Sequence, residues 1–100
     1  RKLWIAFAVG SKGQITVDKG ARKALEARAS LLPSGVIGMQ GDFEIGDAVE
    51  VVDDESRIFA KGIVRQNTDN VRATAGLNTA QLPEGVSHEV IHTDDLVILP

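Results

Sequence analysis

Cysteine and tyrosine are both absent from this 100-residue chain. Without cysteine there are no disulfides, no thiolate metal sites and no cysteine nucleophile, which accords with the reducing cytoplasm expected as its location. Aromatic side chains are few, with Trp4, Phe7, Phe43 and Phe59 the full set. That is too few for a single-strand binder built on stacked bases, and the pattern predicts that all four serve the core. No apolar run approaches the roughly 20 residues of a membrane span. The opening RKLWIAFAVG stays apolar for only a short stretch before polar chain resumes, so neither a secretory signal nor a membrane segment is expected. Glycine motifs for phosphate are missing as well, because no two glycines lie two residues apart and no glycine precedes a lysine. GxGxxG and GK[ST] loops are thereby excluded. The single methionine is Met39 and the chain begins at Arg1, so we expect a piece of a larger parent.

What remains is the composition of one small folded domain, 43% hydrophobic and 25% charged. The net charge of −3 is unevenly distributed. Residues 1–30 carry seven basic against two acidic side chains, net +5, whereas residues 31–100 carry four against twelve, net −8. Leu3–Val9 and Gln14–Val17 alternate as short strands about the turn Gly10–Gly13, which predicts an opening hairpin. Asp18 can cap a helix from Lys19 to about Arg28, with Lys19, Arg22 and Lys23 on a cationic face. Val36–Met39 follows as a strand. Ala48–Asp53 and Arg57–Arg65 form a second hairpin about the acidic tip Asp53-Asp54-Glu55. Asn67 or Thr68 caps a short helix ending near Gly76, Leu77–Ser87 is a loop, and Glu89–Ile91 and Leu96–Leu99 are the last strands. Six or seven short strands with two short helices predict a mainly β, barrel-like domain occupying residues 1–100.

His88-Glu89-Val90-Ile91-His92 matches the HExxH zinc-protease signature. Its chemistry needs a helix that puts both imidazoles on one side. β-branched Val90 and Ile91, followed at once by the Thr93-Asp94-Asp95 turn, predict a strand instead, with no metal site and no catalytic residue. Asp94 and Asp95 are read as turn residues that bond backbone amides.

Taken in order, KLWIA, VDKGA (Val17–Ala21), SLLPSGV (Ser30–Val36), GDFEIGD (Gly41–Asp47), AKG (Ala60–Gly62) and VIHTDDLVIL (Val90–Leu99) resemble the carboxyl-terminal PUA domain of bacterial glutamate 5-kinases across nearly the whole chain. The resemblance implies a PUA-like pseudo-barrel and a non-catalytic role in regulation, assembly or RNA contact. It implies a cytoplasmic, homo-oligomeric parent in which an amino-terminal kinase domain, a partner on the same polypeptide, uses ATP and magnesium to phosphorylate L-glutamate in the first step of proline biosynthesis. No cofactor is expected in this chain itself. In PUA domains that hold RNA, the first helix and the glycine-bearing bend after it form much of the contact surface. That maps an expected RNA-binding set onto Lys19, Arg22, Lys23, Pro33 and Gly35, with Lys12 added from the basic opening third. The alternative is an RNA-binding module of an RNA-modifying enzyme or a free-standing protein.

Overall fold

The computed structural model describes residues 2–7, 9–84 and 88–100. In chain order the elements are α1 (Lys2–Phe7), β1 (Ser11–Val17), α2 (Lys19–Glu26), β2 (Val36–Gly41), β3 (Ala48–Val52), β4 (Ile58–Ile63), α3 (Thr68–Thr74) and β5 (Leu96–Ile98). Single 3-10 turns at Pro33–Gly35, Thr79–Gln81 and Thr93–Asp95 punctuate the connections. The strands form one sheet in the order β2-β1-β3-β4-β5, antiparallel throughout except for the parallel pair β1–β3. The domain is mainly β, as the sequence pattern predicts.

β3 lies at the centre of the sheet, and four of its five residues, Ala48, Val49, Val51 and Val52, are buried. A strand covered on both faces loses the apolar–polar alternation of a half-exposed one, which is why AVEVV reads as a nearly continuous apolar run. Around it Ile15, Val17, Leu25, Leu31, Phe43, Phe59 and Ile91 complete one core. The β3–β4 hairpin forms where the sequence places it, and Asn67 caps α3 by accepting from the amide of Asn70 at 2.9 Å. Thr68 then fastens α3 to the core: its buried hydroxyl accepts from the Phe43 amide at 2.7 Å, so that amide is not left unpaired.

Four sequence expectations are corrected. Residues 3–7 are helical rather than a strand, and among the described residues there is no opening hairpin. Both edges of β1 are occupied, by β2 on one side and β3 on the other, which leaves no ladder for a preceding strand. Residues 2–7 coil into α1 instead, which packs on β4 and β5 and buries Ile5 completely. Trp4 is not in the core; it is 58% exposed, because a helix that turns Ile5 inward turns its neighbour away. The Phe7 side chain lies outside the described set. The final runs supply one strand rather than two, since residues 89–91 contribute only the isolated bridge Leu31–Ile91. The described residues thus hold five strands and three helices, against the six or seven strands and two helices expected.

Candidate functional site

α2 is positioned from both ends. At its start Asp18 accepts from the Ala21 amide at 2.7 Å, while the Asp18 amide donates to the Gly35 carbonyl at 3.0 Å, joining helix and bend. At its end Arg28 adopts φ +70° and the Ala29 amide returns to the Ala24 carbonyl at 2.9 Å, closing the last turn. The bend is equally fixed. Pro33 is buried at the first position of its 3-10 turn, the Gly35 amide donates to the Leu32 carbonyl at 3.1 Å, and the Gly76 amide beyond α3 donates to the Pro33 carbonyl at 2.8 Å. Gly35 has no alternative here: a Cβ at this position would lie 2.5 Å from the Ala21 Cβ. Glycine is required because helix and bend touch, and its φ is not in the left-handed region.

Between α2 and the bend runs an open groove of about 350 Å³, lined by small and apolar residues that include Gly20, Ala21, Ala24, Ala29, Leu32 and Ser34. Asp18 is its one ionisable lining residue, and its carboxylate is committed to the helix cap. Besides backbone groups, the groove presents the hydroxyl-bearing residues Ser30 and Ser34.

The opposite flank of α2 carries the charge. Lys19, Arg22, Lys23 and Glu26 face Asp53, Asp54, Glu55 and Arg57 of the β3–β4 tip across a second cleft of about 250 Å³. Arg22 is committed within this cleft. Its Nη1 donates to Asp53 Oδ2, its Nε lies 3.6 Å from Glu26 Oε1, and its guanidinium stacks 4.6 Å above the centre of the Phe59 ring. Asp53, only 2% exposed, accepts on Oδ1 from the amides of Glu55 and Arg57, both at 2.9 Å. Its Oδ2 accepts from Arg22 and, at 3.1 Å, from Arg57 Nε. The Arg57 amide contributes most to holding this carboxyl down at about 2 from an ordinary 3.8; burial opposes it, and the Glu55 amide and the two guanidiniums add to it.

The expected site residues therefore separate. Lys19 and Lys23 are exposed on the flank of α2 that borders the acidic cleft, Gly35 lines the groove on the other flank, and Pro33 is buried in the bend behind it. Arg22 points into the acidic cleft. Lys12 is exposed near the start of β1, about 17 Å of strand away from the end that leads into α2. Asp53 is the residue that sequence reasoning missed, having taken it for part of a solvated hairpin tip. The available signal was the complementarity between a basic helix and the only run of three acidic residues in the chain.

The HExxH segment is extended, with Val90 and Ile91 fully buried, and the helix that metalloprotease chemistry requires is not formed. His92 Nδ1 accepts from the Asp94 amide at 3.0 Å and caps the final 3-10 turn. Among the described residues no three His, Asp or Glu side chains converge to hold a metal, and no helix is long and apolar enough to cross a membrane.

The chain is thus a small mainly β domain with an open groove between its first capped helix after β1 and the bend that follows it. The PUA domain family profile matches residues 13–86, and the chain belongs to that family. It is 42% identical to the glutamate 5-kinase of Syntrophus aciditrophicus and 46% identical to that of Anaeromyxobacter dehalogenans, over 99% of this chain in each case. The match lies in their carboxyl-terminal region, and the chain spans 27% of their length. Among solved structures it resembles a PUA domain from Aeropyrum pernix K1, crystallised as a tartrate complex, with 28% identity and a TM-score of 0.61 over 89% of this chain and 47% of that one. A PUA domain protein from Thermoplasma acidophilum shares the fold, with a TM-score of 0.60 at 22% identity over 90% of this chain and 54% of that one.

Proposed function

We propose that this chain is the non-catalytic accessory domain of a cytoplasmic, homo-oligomeric glutamate 5-kinase, serving its regulation or assembly. One observation carries the reading: 99% of the chain aligns with these kinases while accounting for only 27% of each. Phosphorylation of L-glutamate, with its ATP and magnesium, belongs on this reading to the remainder of the polypeptide. Incubated with ATP, magnesium and glutamate, the 100-residue chain should release no ADP above a protein-free blank, whereas the full encoded polypeptide should turn over. Turnover by the isolated chain would overturn the division.

A second reading, RNA contact through α2, is favoured by Lys19 and Lys23, which are exposed on the cationic flank of that helix. Structured RNA titrated at low and moderate salt should bind saturably, and Lys19→Glu with Lys23→Glu should weaken it on the order of tenfold at low salt, the variant retaining its thermal midpoint. Arg22 is unsuitable for this test, since reversing its charge breaks the Asp53 pair. Affinity unchanged by the double reversal removes this face from consideration.

A further inference from the structure

We propose that the outward face of α1, Leu3 and Trp4, is the docking surface for the domain that precedes this one in the same polypeptide. The inference rests on the reading of the chain as the carboxyl-terminal part of a longer kinase. Leu3 is 74% exposed and Trp4 58%, on a helix that packs against β4 and β5. Ile5 on its inner side is fully buried, and Lys61 Nζ donates to the carbonyl of Val9, two residues beyond its end, so the exposed pair is presented by an anchored helix. A large aromatic held out in water next to a leucine is the composition of an interface centre.

Lys2, at the start of the same helix, borders a separate groove of about 610 Å³ lined by apolar Leu25, Leu96, Val97 and Ile98 together with Glu26 and Arg28. Chain length selects the occupant. In the kinases the matched region is carboxyl-terminal and makes up 27% of the polypeptide, so the rest of the chain joins ahead of α1. A tethered domain arrives there at high effective concentration and needs little area. A second free copy has no such tether and would need roughly 800 Å² on each side.

Hydrogen exchange by mass spectrometry on the full encoded polypeptide tests this, comparing wild type with Leu3→Ser/Trp4→Ser. The amides of α1 and those of one segment in the preceding domain should exchange at least tenfold faster in the variant, while β1–β5 keep their protection. Trp4→Phe, which retains an apolar ring, should stay near wild type. Three results overturn the proposal: a preceding domain indifferent to the double substitution, protection that appears only as protein concentration rises, or a polypeptide with no domain ahead of α1. A preceding domain that responds but does not phosphorylate glutamate would leave the docking surface standing and defeat only the kinase assignment.

Discussion

Replacing Asp53 by asparagine should lower the thermal midpoint by on the order of 10 °C and remove most of one acid-unfolding limb. The carboxylate is 2% exposed and is the shared acceptor for two backbone amides and two arginines. An amide in its place can still accept on one side but turns an NH₂ toward the guanidiniums of Arg22 and Arg57, so donors face donors in a site shielded from water. The loss reaches beyond the hairpin, because Arg22 belongs to α2 and the pair fixes that helix against the β3–β4 tip. The pH dependence has a definite sign. A carboxyl whose folded value lies near 2 against an ordinary 3.8 contributes stability that is fully present above about pH 4 and is lost as pH falls toward 2. Thermal melts from pH 7 to pH 2 should therefore show the gap between wild type and Asp53→Asn closing below about pH 4. A gap of constant size over that range would show that ionised Asp53 is not the source.

Gly35→Val should cost about 3 kcal/mol in urea unfolding, with the denaturant slope unchanged. The obstacle is a single atom, since the new Cβ would stand 2.5 Å from the Ala21 Cβ and the backbone at Gly35 is free of left-handed strain. That makes the prediction separable from a general intolerance of the bend. Ala21→Gly alone should cost about 1 kcal/mol as a helix-interior glycine. Combined with Gly35→Val it should recover at least about 1 kcal/mol relative to additivity, because it deletes the atom that the new side chain meets. Strict additivity of the two changes would mean that the contact between α2 and the bend is not what excludes a side chain.

The elements that were legible in the sequence are those whose signals are local. Asp18 before a run of helix formers and Asn67 before TDNVRAT announce their helices through caps that act within three residues, and both caps are made. The β3–β4 hairpin shows itself as two apolar runs about an acidic tip, and the order of short segments from KLWIA to VIHTDDLVIL carried the family. The opening segment was misread because Leu3, Ile5 and Phe7 fit an alternation of two as well as a single helical turn. In so short a run, periodicity cannot choose between them. The choice depends on whether β1 has a free edge, which is a property of residues 36–52.

The candidate site divides in the same way. The resemblance to PUA domains pointed to the glycine-bearing bend after α2, and that α2 would be basic follows from residue types and their spacing. Which of those cations remain available to a ligand does not, because Arg22 meets Asp53 across 31 positions of chain and Lys12 is carried away along β1. By itself the sequence determined the caps, the turns, the mainly β class and the absence of any phosphate loop, all of which depend on chemistry within a few residues. Only the tertiary structure decided which charges neutralise one another and which apolar side chains stay outside. Coulombic pairing and burial act through distances in space, and the sheet order β2-β1-β3-β4-β5 sets those distances.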